Sequence, residues 1–263
     1  MTGTCRYEVF PQIDEPFAAE GDDAVAEMIE AGAVWTPFTR NDAPARFVPP
    51  RFGVSVDADP KWRHPVTPAD SAVTTAIAQA TRGYAVSADV GDAEGLRFLS
   101  ACLNLTRIIA ATCDGVVVDR TSDIGYTAEQ HDALIEQPYL RDMLVVEAIA
   151  TGATFELRTA GMHKYAAHEL VIESVAASDL ELGKTILFDN VANYAAFKGR
   201  LQPGQTMQYQ RQVPASTWFF EQRGDGRLRV VDYDSEGKRP LPTLDHCLGV
   251  FRPLFAKVRG AVG

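Results

Sequence analysis

The sequence lacks the short motifs that assign a chemistry directly. No G-x-G-x-x-G, G-x-S-x-G, H-E-x-x-H or C-x-x-C pattern occurs in it, so it has none of the usual signatures of dinucleotide binding, serine hydrolysis, zinc proteolysis or thiol redox chemistry. Gly183, Lys184 and Thr185 match the end of a phosphate-binding loop, but Ser178 stands where that loop needs its first glycine. The preceding residues predict the opening of a helix, and we expect no phosphate site there.

Cysteine is scarce and irregularly spaced, with four residues in the chain. Cys102 and Cys113 lie in a predicted helix, about 16 Å apart along its axis, which is too far for a disulfide bond. Cys5 and Cys247 are isolated in the sequence. This pattern is typical of buried, reduced thiols in a cytosolic protein rather than of a disulfide framework or a metal knuckle.

Runs of basic residues and long apolar runs are also missing. The 25 basic residues are outnumbered by 35 acidic ones, which gives a formal net charge of −10. Nucleic-acid backbones and anionic membranes both require a basic face, so neither is expected as the main partner. No apolar run approaches the ~20 residues of a membrane span, and the first residues lack the features of a signal peptide. We therefore expect a cytoplasmic protein.

The first half of the sequence contains patterns that predict helices, separated by patterns that predict short strands. Thr67 and Pro68 predict the capped start of a helix that runs to about Ala80. A second helix is predicted over residues 93–112, between strands at 84–88 and 115–119, a unit typical of parallel strands joined by a crossover. The Thr127–Gln130 segment has the pattern of a capping box and predicts a further helix.

The second half is dominated by strand patterns. Residues 143–149 and 154–159 predict a hairpin with its turn at Thr151 and Gly152, and residues 169–174 predict a third antiparallel strand. The connection between them, 160–168, is too polar for a strand. The predicted fold is α+β, a mixed sheet with helices packed on it. We expect a single domain over 1–263, with a possible sub-boundary near 138 between an α/β-like half, 1–138, and an antiparallel half, 139–263.

The irregular connection holds the most reactive group of side chains. His163 and His168 would face opposite sides of a strand and lie about 140° apart on a helix, so only a loop could direct both to one site. With Glu169 and with Asp119 from elsewhere, they are candidates for acid–base catalysis, and the two histidines are candidate metal ligands. The alternative is that the histidines make ordinary hydrogen bonds. The sequence favours this alternative, and it predicts no cofactor and no metal.

Two other segments are candidate sites. Asp119 ends an apolar strand, where α/β sheets often place groups that contact ligands, and Arg120 and Asp123 would complete a charged pocket. The alternative is that Asp119 is a helix-capping or loop aspartate. The run Trp218, Phe219 and Phe220 places bulky rings on both faces of a strand, so it is predicted either to pack in the core or to bind a partner.

Three segments, LSACLNLTRIIAATCDGVVVD, RTAGMHKYAAHELVIESV and LQPGQTM, resemble a group of uncharacterised bacterial cytosolic proteins known only as a domain of unknown function. The matching positions are Gly115 to Asp119, Thr159, Gly161, Met162, Tyr165, Glu169, Leu170, Ile172, Pro203, Gly204 and Thr206. The resemblance implies a housekeeping, stress or conflict-system protein, for example one that neutralises a toxin. It implies no catalytic residue.

Three hypotheses follow from these observations. The first is a non-enzymatic binding protein whose acidic surface meets a basic protein partner, such as a bacterial toxin, in the manner of an immunity protein. The second is a hydrolase-type enzyme that uses His163, His168, Glu169 and Asp119 in one cleft. The third is a structural or oligomer-forming module. The sequence does not predict the oligomeric state.

Overall fold

The computed structural model of the chain describes residues 3–14, 16–19, 22–55, 67–90, 95–136, 143–198, 200–209, 216–233, 241, 244, 247–249 and 251–253. They divide into two compact units. The first unit comprises Met1–Val145 with His163–Ala166, and the second comprises Val146–Met162 with Ala167–Gly263. Residues 137–140, where the sequence suggests a sub-boundary, lie outside the described residues. The single domain stays a prediction.

The described residues of the first unit form a seven-stranded sheet with helices. In chain order the elements are β1 (Gly3–Phe10), α1 (Asp23–Glu30), β2 (Val34–Thr39), β3 (Phe52–Gly53), β4 (Thr67–Pro68), α2 (Ser71–Gln79), β5 (Arg82–Val90), α3 (Gly95–Thr112), β6 (Val116–Asp119), β7 (Ile124–Tyr126) and α4 (Ala128–Glu136). The strand order is β2-β5-β1-β6-β7-β3-β4. β3 and β7 pair in parallel, whereas the other neighbours pair antiparallel, so the sheet is mixed.

The predicted strand–helix–strand unit is present, with one strand inserted into it. The chain runs from β5 through α3 to β6. Both strands pair antiparallel with β1, which lies between them, and they therefore run parallel to each other. The insertion was not predictable from the local pattern, because β1 comes from a distant part of the sequence.

The two faces of this sheet differ in what they bury. On one face, α2 and a short 3₁₀ turn, Pro44–Phe47, cover an apolar cluster of Phe10, Phe38, Phe47, Val73, Ala76, Ile77, Ala80, Val116 and Val118. Val117 and Asp119 alternate with Val116 and Val118 along β6, so they point to the opposite face. Asp119 thus enters the core on the face that does not contain α2.

Helix α2 begins later than the sequence predicts. Thr67 and Pro68 belong to β4, which pairs with β3, so Thr67 is not the helix cap. Asp70 has that role, and its carboxylate accepts a hydrogen bond from the backbone N–H of Ala72 at 2.7 Å. The long-range pairing of β4 outweighs the local capping pattern. The predicted end of the helix near Ala80 is confirmed.

Helix α4 begins as predicted. The backbone N–H of Gln130 donates to Thr127 Oγ1 at 3.2 Å, and the backbone N–H of Thr127 donates to Gln130 Oε1 at 2.9 Å. This is the reciprocal arrangement of a capping box. Further along the helix, His131 and Leu134 are buried.

The described residues of the second unit form a six-stranded sheet and a helical segment. The elements are β8 (Val145–Thr151), β9 (Thr154–Ala160), β10 (Leu170–Val175), α5 (Leu180–Thr185), a π-helical stretch (Ile186–Ala192), α6 (Asn193–Phe197), β11 (Thr206–Tyr209), β12 (Ser216–Gln222) and β13 (Leu228–Asp232). The strand order is β11-β12-β13-β10-β9-β8. The β10–β13 pair is parallel, and the pairs β9–β10, β11–β12 and β12–β13 are antiparallel.

Several local predictions for the second unit are confirmed. β8 and β9 are hydrogen-bonded neighbours, and Gly152 lies at the turn between them with a φ of +74°. The third strand, β10, is antiparallel to β9. Gly183 lies inside α5, where a Cβ atom would come within 2.7 Å of Leu157 Cδ1. Close packing of the helix on β9 therefore accounts for this glycine.

One face of the second sheet carries a chain of alternating charges. Arg158 pairs with Glu156, Arg223 joins Glu156 to Glu173, and Arg229 joins Glu173 to Glu221. We call these six residues the charge ladder. Each inner member contacts at least two opposite charges, so removal of one member weakens the charge compensation of both of its neighbours in the ladder.

The α+β class is confirmed, with a more helical first half and a mainly antiparallel second half. None of the helices in the described part of the chain has the length and apolarity that crossing a membrane requires.

Candidate functional site

Asp119 is fully buried in the first unit and makes several hydrogen bonds. Its Oδ1 accepts from the backbone N–H groups of Thr121 and Ser122 at 2.9 and 3.3 Å, and its Oδ2 accepts from Ser122 Oγ at 2.7 Å. The carboxylate therefore organises the turn that follows β6. This is the loop-capping role that the sequence left open.

Lys164 supplies the opposite charge to Asp119. Its side chain is fully buried, and its ammonium group donates to Asp119 Oδ2, to Ser122 Oγ at 3.0 Å and to the backbone carbonyl of Met143. An ammonium group has three protons, and all three have an acceptor here. We call Asp119, Ser122 and Lys164 the buried ionic cluster.

The segment that carries Lys164 packs closely in the first unit. His163–Ala166 belongs to that unit although the residues on both sides belong to the second. A side chain at Gly3 would collide with the backbone carbonyl of His163, which shows how near β1 lies to this segment. The Tyr165 hydroxyl is buried and reaches Met143 Sδ at 3.4 Å. The ionic cluster therefore anchors a short, tightly packed segment, and its saturated hydrogen bonds indicate a structural role.

The other predicted members of an Asp119 pocket have partners of their own. Arg120 Nε donates to Glu8 at 2.6 Å, and Arg51 Nε donates to Asp123 at 2.6 Å. His163, beside Lys164, is exposed. The charged residues next to Asp119 in the sequence, Arg120 and Asp123, therefore form ion pairs with residues that are distant in the sequence.

Glu169 organises the connection between β9 and β10 in the second unit. Its Oε2 accepts from Thr159 Oγ1 at 2.6 Å, and its Oε1 accepts from the backbone N–H groups of Gly161 and Met162, each at 2.9 Å. Thr159 Oγ1 in turn accepts from the N–H of Leu170 at 2.7 Å. These five positions are among those that carry the resemblance described above, and hydrogen bonding within one turn accounts for them.

His168 is half-buried beside this turn. Its Nδ1 lies 3.2 Å from the carbonyl of Gly226, in the β12–β13 hairpin of the same unit. Glu169 is directed to the turn amides, so each residue has its own structural contact. No three histidine, cysteine, aspartate or glutamate residues in the described part of the chain are grouped so as to hold a metal ion.

His131 is a buried group that the sequence analysis did not identify. It is 1% exposed, and neither of its ring nitrogens has a hydrogen-bond partner. Tyr7, whose ring centroid is 6.0 Å away, likewise has an unpartnered hydroxyl. Burial lowers the pKa of His131 to about 4, so the imidazole is neutral at pH 7. The sequence pattern that could have predicted the burial of His131 is its position three residues before Leu134, on the apolar side of a helix.

Helix α1 carries unpaired carboxylates on its surface. Asp23, Glu27 and Glu30 are exposed, and their spacing places them on one side of the helix. No ion pair to any of the three occurs within the described residues, and α1 contains no lysine or arginine. We call these three residues the acidic face of α1. Ile29 and Val34, close in sequence, are 46% and 59% exposed.

The aromatic run on β12 is mostly internal. Trp218 and Phe220 are fully buried, and the indole N–H of Trp218 donates to Cys247 Sγ at 3.1 Å. Phe219 is half-buried and packs edge to face on Tyr233, at a centroid distance of 5.7 Å. Core packing therefore accounts for two of the three rings.

Comparison with known proteins adds no assignment to this geometry. No protein-family model, no curated protein and no solved structure matched the chain. The resemblance noted from the sequence stays a prediction.

Proposed function

We propose that the chain is a non-enzymatic binding protein that recognises a basic protein partner through the acidic face of α1. The observation that carries this proposal is the exposure of Asp23, Glu27 and Glu30 without any described counter-charge. A basic toxin, as the sequence resemblance implies, is one partner of the required charge.

The charge distribution supports attraction of a cationic partner. The formal net charge of −10 produces a field that attracts basic proteins and accelerates their association. On the acidic face, three carboxylates within two helical turns reinforce one another. A partner that supplies lysine or arginine there would exchange charge repulsion for ion pairs.

Exposed apolar side chains close in sequence to the acidic face provide the second element of an interface. Val25 is the residue that α1 buries, whereas Ile29 is largely exposed. Val34 on the adjoining strand β2 is more exposed still. Protein interfaces combine apolar contacts with polar ones at the rim, and residues 23–34 offer exposed side chains of both kinds.

The edge of the first sheet does not favour binding of a partner by addition of a further strand. β2 is an edge strand of the described sheet, and an unprotected edge can pair with another chain. Pro37 lies within β2 and has no N–H to donate. A proline on an edge strand opposes pairing with a further strand. We therefore place the binding contacts on side chains of α1 and β2 rather than on the backbone.

The reactive side chains of the first unit support a non-catalytic role. Asp119 and Lys164 are buried and saturated with mutual contacts. A cleft of about 210 Å³ is lined by Pro11, Gln12, Ile13, Asp14, Ala76, Gln79, Ala80, Thr81 and Arg82. These lining residues include neither a histidine nor a lysine, and the one carboxylate, Asp14, is fully exposed and pairs with Arg82 at 4.0 Å, so the cleft holds no buried group for acid–base catalysis.

The test compares two variants with the same change in net charge. The first, Asp23→Asn/Glu27→Gln/Glu30→Gln, neutralises the acidic face. The control, Asp89→Asn/Asp114→Asn/Glu129→Gln, neutralises three other exposed carboxylates of the first unit. Immobilised wild-type chain is used at low salt to recover partners from a lysate of the source cells, and each partner is purified and titrated against all three proteins.

We expect a basic partner that binds wild type and control alike and binds the first variant about threefold to 150-fold more weakly, because each of three exposed ion pairs contributes roughly 0.2–1 kcal/mol. A partner that binds the first variant as tightly as wild type would contradict the proposal, and so would the recovery of no basic partner.

A further inference from the structure

One outer strand of the second sheet is available for pairing. β8 is the last strand in the order β11-β12-β13-β10-β9-β8, so no described strand pairs with its outer side. Because a two-residue loop joins β8 to β9, the two strands run antiparallel, and every second residue of β8 directs its backbone N–H and C=O groups away from β9. Such an edge is a template for a further strand.

The other outer strands of the two described sheets carry features that oppose such pairing. β2 contains Pro37, β4 has two residues, one of which is Pro68, and β11 has four residues. β8 has seven residues, Val145–Thr151, with no proline, lysine or arginine among them. Prolines, lysines and short length are the usual protection of a strand edge, so β8 is the exception among these four strands.

The half of β8 that lies next to the turn is the accessible part. Val145 and Val146 are buried. Of the next five residues, 147–151, two are half-buried and three are exposed. Glu147 is the one charged residue among them. We call residues 147–151 the open edge.

We propose that the open edge pairs with the open edge of a second copy of the chain, antiparallel and about a two-fold axis at Ile149. In this register Ile149 of one copy lies opposite Ile149 of the other, Ala148 lies opposite Ala150, and Glu147 lies opposite Thr151. No two like charges face each other, and an apolar pair lies at the centre. An axis closer to Val146 would require the buried end of the strand to pair.

Two observations favour a second copy over a strand from a different protein. A two-fold interface is self-complementary, so a single contact covers the open edges of both copies, whereas a foreign strand covers one. The net charge of −10 opposes the association of two copies, but the open edge carries one charge and places it opposite a neutral residue. The charge repulsion between two copies is therefore small at this contact.

The resulting dimer has one sheet that continues through the second units of both copies. Five residues on each side form a small interface, and small interfaces are weak and transient, so the dimer forms at high protein concentration. The inference does not depend on the acidic face of α1, which belongs to the first unit. The Asp23→Asn/Glu27→Gln/Glu30→Gln variant should therefore still dimerise through the open edge.

The first experiment places charges on the two alanines of the open edge, which are exposed. Ala148→Lys/Ala150→Lys sets lysines opposite lysines, and Ala148→Glu/Ala150→Glu sets carboxylates opposite carboxylates. Ala177→Lys/Asn193→Lys is the matched control, because both positions are exposed and lie in the second unit outside its sheet. The full chain and each variant are measured by sedimentation equilibrium at about 0.15 M salt, up to about 1 mM protein.

We expect the wild type and the control to dimerise with similar dissociation constants, and each double variant of the open edge to dimerise more weakly when it is alone. An equimolar mixture of the lysine and glutamate variants should form a heterodimer about twofold to 30-fold tighter than the wild-type dimer, because two pairs of opposite charge then lie across the axis. Heterodimer formation also shows that both variants are folded.

The second experiment tests the register. Ile149→Cys brings two thiols directly across the axis, near the distance that a disulfide bond spans. Ala153→Cys is the control at an exposed position of the turn, away from the axis. The four native cysteines are buried. Under mild oxidation Ile149→Cys should form a covalent dimer that a thiol reductant reverses, and Ala153→Cys should form little.

Three results would overturn the proposal. A chain that stays monomeric up to about 1 mM would leave the open edge to a strand from a different protein. If Ala148→Lys/Ala150→Lys dimerises as tightly as the wild type, or if its mixture with the glutamate variant gains no heterodimer, the two copies meet at another surface. Equal covalent dimerisation of Ile149→Cys and Ala153→Cys would contradict the two-fold axis at Ile149.

Discussion

Lys164 donates an ammonium proton to Asp119 in the core of the first unit, although the two residues are 45 positions apart in the sequence. Both side chains are fully buried. Burial of two charges carries a large desolvation cost, which only good geometry and further hydrogen bonds offset. Ser122 and the Met143 carbonyl provide those hydrogen bonds.

Removal of the buried ammonium should strongly destabilise the first unit. Lys164→Met leaves the Asp119 carboxylate without its counter-charge, and the expected loss is about 3–5 kcal/mol in the free energy of unfolding, measured by urea denaturation. The double variant Lys164→Met/Asp119→Asn should recover part of this loss because it also removes the buried charge. Lys184→Met is the control, since Lys184 pairs with the more exposed Glu181. A loss from Lys164→Met as small as that of the control would contradict the role of the cluster.

Glu169 should matter through the turn that it caps. Glu169→Ala leaves Thr159 Oγ1 and the N–H groups of Gly161 and Met162 without their acceptor, with an expected cost of about 2–4 kcal/mol. Amide hydrogen exchange at Gly161 and Met162 should accelerate. Glu169→Gln retains one acceptor oxygen and should lose less. His168→Ala, next to it, should leave these amides protected, and unchanged exchange in Glu169→Ala would show that the carboxylate does not hold the turn.

His131 should make the protein less stable as the solution becomes more acidic. Its pKa is lowered from 6.5 to about 4 in the folded chain, so the unfolded state binds more protons between these values. Above pH 6.5 the imidazole is neutral in the folded and the unfolded state, so its protonation does not affect stability. As the pH falls from 6.5 toward 4, the free energy of unfolding decreases by up to about 3 kcal/mol. His131→Leu should remove this pH-dependent loss of stability, so the difference in unfolding free energy between variant and wild type should grow on acidification. A difference independent of pH would contradict this account.

The charge ladder should stabilise the second unit in a salt-dependent way. Glu173→Gln removes the carboxylate that Arg223 and Arg229 contact at 3.0 and 2.9 Å. We expect a loss of about 1–2 kcal/mol at low salt, smaller at about 1 M salt because screening weakens partly exposed pairs. Glu181→Gln is the control, because Glu181 is more exposed and pairs with Lys184 outside the ladder, and it should change the free energy of unfolding little. Equal effects of the two substitutions at both salt concentrations would show that the ladder is not a coupled unit.

Local signals predicted local structure well. The capping box of Thr127 and Gln130 and the turn at Gly152 depend on residues a few positions apart, and both are confirmed. The predicted start of α2 was wrong because Thr67 and Pro68 pair with β3, and no local sequence pattern indicates this contact. The insertion of β1 between β5 and β6 was missed for the same reason.

The polar clusters were harder to predict than the elements that carry them. The sequence predicted the irregular connection 160–168 and indicated His163 and His168 as its candidate site residues. It did not indicate Lys164, which lies between them. Its neighbours Met162, Tyr165, Ala166 and Ala167 are all buried, and a lysine within such a run was the available signal. Its partner Asp119 lies on β6, far away in the sequence, so the pairing could be identified only from the tertiary structure.

The acidic face of α1 is the part of this account on which the proposed function depends most. The most direct measurement is amide hydrogen exchange of the full chain with and without the basic partner recovered in the pull-down. We expect slower exchange in α1 and at the start of β2, around Ile29 and Val34, when the partner is bound, and no such protection in the Asp23→Asn/Glu27→Gln/Glu30→Gln variant. Protection confined to other segments, with α1 exchanging at the same rate in the free and bound chain, would contradict it.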